Sequence, residues 1–495
     1  MKKLRGASLI PEDFSSSDEE TLEGEPTPKQ NTRTGKPKTA KSTKVRDHYI
    51  VLSPSDPLTS ACRFISEHHT QDDLKTLCFY RGDFYIYTGS HFQKVGSQDI
   101  RTQLYSFLKQ AKRLTDKGAY VPFEPNQPKV SHVVDALKAE SFINSEVGPP
   151  IWLNDSDIPP DEILACKNGL LCLSTRKLIP HTPAFFALGS LPYSYKPEVK
   201  PSVRWFRFLK KLWGDDPDSI RALQEWFGYC LRKATSQQKI LLIIGPIRAG
   251  KGVIGRTQRN LLGSANTVAP SLSDLAQPFG LQPLLDKRLA VVSDIRLGRT
   301  DQSIIIERLL SISGEDVITV HRKNRTAITG ILPIKFLLLS NELPNLQDSS
   351  GAAVSRLIVL KLNRSFLGQE DTTLTDRLAD ELPALLNWSL DGLDRLQKRG
   401  HFRQPKSAKK AIEQLEELGS PVGEFIRDKC QLGPSCSVST DRLFKAWKRW
   451  CEAHNVQPGS QSLFGRSLNS YAPCVEKKRP RKDGRKGRYI GIKLA

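Results

Sequence analysis

The 495-residue chain has no run of about 18 apolar residues, so no segment of it is expected to cross a bilayer as a helix. Its first residues, MKKLRGASLIPEDF, are partly basic but hold no apolar core long enough for a secretory signal. Its nine cysteines, at 62, 78, 166, 172, 230, 430, 436, 451 and 474, form no C-x-x-C pair, and no Cys/His group has zinc spacing. That speaks against a disulfide framework and a structural zinc, and fits a reducing, cytoplasmic setting. Acidic residues are in short supply. Lys and Arg outnumber Asp and Glu by 74 to 53, a formal charge of +21. Such an excess points to a polyanionic partner, most simply nucleic acid.

Residues 1–47 are polar and low in complexity, an acidic patch (EDFSSSDEETLEGE) followed by a basic Pro/Thr/Lys run. They bury too little apolar surface to offset ordering and are expected to be a disordered tail. Residues 48–145 are expected to form a small α+β module. In it LCFYRGDFYIYTGSHFQKV alternates like a meander of short strands, and SQDIRTQLYSFLKQAKRL has helical spacing behind a Ser cap. Residues 146–235 bring a hairpin (KNGLLCLSTRKLIPH) and two helices broken at Gly214-Asp215-Asp216-Pro217. Trp205, Phe208, Leu209 and Leu212 make one apolar face, and Leu223, Trp226, Phe227 and Leu231 another. Asp155 and Asp157 form a lone Asp-x-Asp beside two prolines, which reads as a turn rather than a metal site.

The chemistry is concentrated in 236–400. The run KILLIIG reads as a buried parallel strand, and KGVIGRTQRNLLG as a helix closed by Gly263. Between them Gly245, Pro246, Ile247, Arg248, Ala249, Gly250, Lys251, Gly252 and Val253 have the spacing of a phosphate loop, G-x-x-x-x-G-K. The glycines turn backbone N–H groups toward phosphates, the helix N-terminus adds its positive end, and Lys251 reaches the β- and γ-phosphates. The Ser or Thr that usually follows the lysine is replaced by Gly252. A second strand, RLAVVSD, ends in Asp294, where a carboxylate is expected beside Mg²⁺. A third, IKFLLLSNELP, ends at Asn341, an amide able to orient water or sense the γ-phosphate. Arg356 precedes a fourth strand, a place from which it can serve a neighbouring subunit's nucleotide as an arginine finger. Between Asp294 and Asn341, VITV and AITGILPIKF flank HRKNR, a hairpin with a basic tip fit to grip a single strand.

The loop, the Asp-ended strand, SISGED with its basic hairpin, SNELP and SRLIVLKL, in this order, resemble a superfamily 3 helicase. More narrowly, NGLL, LQEWFGY and SQQKILLIIGP resemble the phage/plasmid primase-helicase family, over about 146–495. The resemblance implies an AAA+-like core, ATP and Mg²⁺ as cofactors, a ring hexamer and ATP-driven translocation on DNA. It also implies Lys251, Asp294, Asn341 and Arg356 as the catalytic set, with His321, Arg322, Lys323 and Arg325 on the DNA-facing hairpin. The paired acid found after the second strand in many relatives is absent, so the water-activating base is left to Asp294 itself or Glu307.

Residues 401–495 begin with a polar helical connector, SAKKAIEQLEELGSP. Three helical stretches follow (PVGEFIRDKC, STDRLFKAWKRWCEAHN, GSQSLFGRSLNSY) and then a hairpin around Asp483-Gly484. This reads as a winged helix, its wing carrying Lys477, Lys478, Arg479, Arg481, Lys482, Arg485, Lys486 and Arg488 toward duplex DNA. The fold expected is therefore multidomain α/β: a P-loop ATPase core between an N-terminal α+β/helical region and a C-terminal winged helix. The function expected is an ATP-dependent DNA helicase of a replicating phage, plasmid or mobile element, with a primase or replication-initiation partner. Two alternatives stand beside it: an ATP-binding origin-recognition or helicase-loader protein that does not unwind, and a nucleoside monophosphate kinase-like phosphotransferase.

Overall fold

The apolar runs of the central region line up in one parallel sheet. In spatial order its strands are Thr267–Val268, Leu289–Val292, Lys335–Ser340, Ile240–Ile244 and Leu357–Lys361. All five residues of Ile240–Ile244 are buried, as a parallel strand covered on both faces requires. Alternation along it assigns the faces: Leu241 and Ile243 point into one core, Ile240, Leu242 and Ile244 into the other. The computed structural model describes residues 49–495 except 215, 294, 296–301, 345, 347–351, 420, 455–456 and 479–486. The tail read at 1–47 thus lies outside the described residues, as does Asp294. Ile50–Ala495 forms one compact unit, in which α and β elements mix around that sheet.

The first face is covered by the helices Val203–Trp213, Pro217–Tyr229, Lys251–Leu262 and Leu382–Arg399. Trp205, Phe208, Leu209 and Leu212 are all buried there, with Leu223, Trp226, Phe227 and Leu231, so both apolar faces read from the sequence are core. Helices Pro217–Tyr229 and Leu382–Arg399 meet backbone to backbone. A Cβ on Gly228 would stand 2.3 Å from the Ser389 carbonyl oxygen, and one on Gly392 2.2 Å from that of Gln224. Beside this crossing the buried carboxylate of Glu225 accepts from Arg395 Nε at 2.8 Å and Arg399 Nη1 at 3.0 Å. The pairing is what allows a charge to sit there. The second face is covered by Leu272–Ala276, Gln302–Ser313 and Lys409–Gly419. Lys409–Gly419 is the stretch expected to be a polar connector. It is the helix expected there, but with Ala411 and Leu415 buried it packs on this core as well as linking, its few apolar positions being outnumbered by charged ones in the sequence.

Ahead of the sheet lies a module with strand order Phe92–Val95, Asp83–Tyr87, Leu77–Tyr80, Phe142–Ile143. The first three form the expected meander, turning through Arg81 and Gly82 at φ 51° and 88°. Helices Pro57–His68, Ser97–Gln110 and Gln127–Glu140 back it. The cap of Ser97–Gln110 is Gly96 rather than the expected serine, its N–H held by the Asp99 carboxylate at 3.1 Å.

At the C-terminal end the order is helix Pro421–Lys429, strand Cys430–Ser439, helices Thr440–Ala453 and Gln461–Tyr471, then strands Glu476–Lys478 and Arg488–Leu494. Phe425, Trp447, Trp450, Phe464 and Tyr489 fill its core. The strand Cys430–Ser439 has no counterpart in the sequence reading. Gly433 and Pro434 interrupt its pattern, and its pairing to Arg488–Leu494 shifts register at that point.

Candidate functional site

The strand Ile240–Ile244 ends in the glycine loop, and the helix Lys251–Leu262 starts from it. Two loop residues are left-handed, Arg248 at φ 60° and Gly250 at φ 90°. A side chain at Gly250 would also meet Leu212 and Phe208 at 3.1 and 3.3 Å, so the loop rests on the helix Val203–Trp213. At Gly255 the loop helix comes so close to the sheet that a Cβ would lie 3.1 Å from Leu339. Because Lys335–Ser340 pairs directly with Ile240–Ile244, Asn341 emerges beside the loop. The ammonium of Lys251 donates to the Gly245 carbonyl at 2.6 Å, to that of Pro246 at 2.7 Å and to Asn341 Oδ1 at 2.9 Å. Two residues 90 positions apart in the chain, singled out separately in the sequence, are thus in contact.

They share a cleft of about 880 Å³ at the carboxyl ends of the parallel strands, where such sheets bind ligands. Seven basic side chains line it against two acidic ones. Arg204, Arg207 and Lys211 come from one face of Val203–Trp213, Arg248 and Lys251 from the loop, Arg256 from the loop helix and Arg377 from beyond the sheet. Both acids are committed. Glu370 pairs with Arg248 at 3.4 Å, and Asp371 pairs with Arg377. Slight burial raises the Asp371 carboxyl, but the Thr373 hydroxyl and Arg377 outweigh it and hold it below the usual carboxylate range. Phe208, Phe366, Leu374 and Val253 supply apolar wall. An excess of positive charge beside apolar surface suits a polyphosphate joined to a flat, weakly polar group.

Asp294 lies outside the described residues. Among those described, no group of three or more acidic, His or Cys side chains could hold a metal. The cleft offers magnesium neither a loop hydroxyl, since Gly252 has none, nor a carboxylate not already paired with arginine. The described residues therefore do not by themselves fit Mg²⁺.

Arg356 does not line the cleft. It ends the short helix Ala352–Arg356, and its guanidinium donates to the Leu310 carbonyl and, at 3.2 Å, to Ser313 Oγ, at the C-terminal end of Gln302–Ser313. Glu307, on that same helix, is exposed and likewise outside the cleft.

The basic hairpin is formed by Val317–Arg322 and Arg325–Ile331 around Lys323 and Asn324, the latter left-handed at φ 56°. The expected single run AITGILPIKF is divided at Pro333, one half going to the hairpin and the other to the sheet. Its tip touches the N-terminal module. Arg325 donates twice to the Asp83 carboxylate, and Arg322 donates to the Arg81 carbonyl at 3.0 Å. Arg81 in turn pairs with Asp286 at 2.8 Å. His321 and Lys323 are exposed. Burial raises the Asp83 carboxyl, but Arg325 and Lys94 outweigh it, so its pKa lies below the usual value.

Of the wing residues, Lys477 and Lys478 are exposed on Glu476–Lys478, and Arg488 donates to Ser437 Oγ at 2.9 Å. Arg479, Arg481, Lys482, Arg485 and Lys486 lie outside the described residues. Sequence reasoning missed Arg204, Arg207, Lys211, Arg256 and Arg377. The signal for the first three was present: a basic i, i+3, i+7 stripe opposite the apolar face of SVRWFRFLKKLW.

Three stretches match known families. Residues 62–214 match the family described as D5 N terminal like, 420–493 that described as poxvirus D5 protein-like, and 243–356 a family of unknown function, DUF5906. The uncharacterized mitochondrial protein ymf21 of Marchantia polymorpha is 26% identical over 129 residues, covering 24% of this chain and 72% of its own length. Apo structures of the NrS-1 C-terminal region share the fold. One superposes with TM-score 0.52 at 11% identity, covering 88% of this chain and 99% of that one, and another with 0.51 at 12%, covering 89% and 100%. By these matches the chain resembles the phage- and poxvirus-type primase-helicases. The match from residue 62 also extends the likeness well ahead of residue 146, into the N-terminal module.

Proposed function

We propose that this protein is an ATP-dependent DNA helicase acting in replication, with the cleft at Lys251 as its nucleotide site. The observation that carries the reading is the contact of Lys251 with Asn341 inside a strongly basic cleft at the carboxyl ends of a parallel sheet. A triphosphate entering there would compete for the Lys251 ammonium with the carbonyls of Gly245 and Pro246. It would also come within reach of an amide on the neighbouring strand. Asn341 would then report the γ-phosphate to the strand Lys335–Ser340, whose other end leads back to the basic hairpin. The core would be AAA+-like, and subunits would assemble as a homo-hexameric ring. Any bound magnesium would depend on Asp294.

The helix–strand–helix–helix–strand–strand order of 421–494 supports a winged helix binding duplex DNA. The chain's charge of +21 agrees with a nucleic-acid partner. A primase or initiation protein would be its companion. No helix among the described residues is long and apolar enough to cross a membrane, in keeping with work on DNA in the cytoplasm. The test is ATP hydrolysis with and without single-stranded DNA, alongside strand displacement. The full chain should show DNA-stimulated turnover and displacement, and Lys251→Ala should lose both while still binding duplex. Nucleotide binding without turnover would favour an origin-binding protein instead, and phosphoryl transfer to a nucleotide, indifferent to DNA, a kinase.

A further inference from the structure

Gly252 is an odd residue for its place. It is the second residue of the helix Lys251–Leu262, where glycine weakens a helix relative to alanine. Its backbone has no left-handed φ that would demand glycine. What it provides is room. A Cβ at Gly252 would lie 3.0 Å from Nη1 of Arg256, 3.8 Å from its Cζ and 4.0 Å from Nη2. The Nη1 end of the Arg256 guanidinium, one helical turn on, therefore comes close over the bare Cα of Gly252. That is the side on which a serine or threonine would project its hydroxyl.

The rest of Arg256 is consistent with a group kept for a ligand. It lines the cleft beside Lys251. Its Nε donates to Thr375 Oγ1 at 3.3 Å, a weak neutral anchor that fixes direction without neutralising charge. Arg248, Arg377 and Arg204 are each paired with an acid. Among the described residues, no carboxylate comes within ion-pair distance of Arg256. A guanidinium lodged against the first turn of a phosphate-loop helix, with its charge uncompensated, is matched to a phosphate oxygen.

We propose that Arg256, admitted by Gly252, is a phosphate-binding residue of the nucleotide site. Its fork takes up the space that a loop hydroxyl fills elsewhere, and it grips the triphosphate directly. The proposal rests on the reading of the cleft as a nucleoside triphosphate site and adds to it. The missing hydroxyl is then an exchange: a fixed organic cation stands beside the loop, and part of the phosphate charge is met without metal. A methyl at 252 would sit 3.0 Å from Nη1 and shift the guanidinium by a few tenths of an ångström.

The test is equilibrium binding of a fluorescent N-methylanthraniloyl ATP to the full chain, in EDTA and in excess Mg²⁺, with melting temperature read in parallel. Arg256→Gln should weaken binding by roughly 10- to 100-fold, the size of a charge-assisted contact, and should do so in EDTA as well. Arg256→Lys should fall between the two. Gly252→Ala should weaken binding in the same direction while the melting temperature holds or rises, since alanine is the better helix former. If Lys251→Ala abolishes binding but Arg256→Gln and Gly252→Ala bind like the parent, the role of Arg256 is overturned and the nucleotide site stands. If Lys251→Ala also binds like the parent, the site itself is wrong and the proposal goes with it.

Discussion

Arg325 and Asp83 join the basic hairpin to the N-terminal module through two hydrogen bonds of 2.5 and 2.8 Å, across 242 residues of sequence. The bidentate geometry makes this more than an incidental surface pair, and Asp83 is further held by Lys94 at 2.8 Å. A phosphate strand approaching the hairpin must compete with Asp83 for Arg325. Asp83→Asn keeps the shape and removes the charge. It should raise affinity for single-stranded DNA several-fold at low salt. It should also steepen the log–log salt dependence by about 0.7, as expected when Arg325 neutralises one more phosphate. The loss of fold stability should be about 1 kcal/mol, as for a partly exposed pair. Unchanged affinity and slope in filter-binding titrations would mean that Arg325 is a docking strut and that the hairpin meets the strand elsewhere.

Four of the five strands of the parallel sheet were legible because each is an unbroken apolar run beside a polar residue able to do chemistry; the two-residue edge strand Thr267–Val268 is too short to leave a pattern. Lys251 and Asn341 could be read as one site because both sit directly at strand or loop ends, where backbone topology alone decides position. Arg256 was invisible for the opposite reason: nothing in GRTQRN marks the first of its two guanidiniums as cleft-facing. Only the bare Cα of Gly252 explains where it goes. The N-terminal clasp was hidden for a related cause. Arg81, Asp83 and Asp286 are common turn residues, and their meeting with the hairpin depends on how modules far apart in sequence are packed.

Stability should depend on pH through a buried lysine. Lys335 opens the sheet strand ending at Ser340, is 1% exposed, and donates to the carbonyls of Arg232 and Lys233 at 2.7 and 3.1 Å. Burial pushes its pKa down from 10.5 to about 7, and burial likewise lowers Lys233 to about 8. Below pH 7 folded and unfolded chains both carry the Lys335 proton. Between about 7 and 10.5 the unfolded chain holds more protons, so stability rises with pH across that window. Urea midpoints should therefore climb from about pH 7 to about pH 9, and Lys335→Met should flatten the climb. An equally steep rise in the variant would show that Lys335 stays charged in the fold.

Arg356 is the sharpest test of assembly. Within its own chain it closes the C-terminal end of Gln302–Ser313, bonding the Leu310 carbonyl and Ser313 Oγ, and Gly314 leaves it space: a Cβ there would be 2.8 Å from Nη1. A cation at that end of a helix is favourable in itself, so Arg356→Ala should cost about 1 kcal/mol of stability. A structural cap does no more than that. If Arg356 also reaches the nucleotide of an adjacent subunit, hydrolysis should rise more steeply than linearly with protein concentration. Arg356→Ala alone should then be inactive, and so should Lys251→Ala. Mixed, they should recover partial turnover, because some interfaces regain both an intact loop and an intact arginine. The mixing experiment is decisive because a destabilised cap cannot be cured by a partner that lacks the loop lysine. Linear concentration dependence with no recovery would leave Arg356 a cap and remove the case for a shared site.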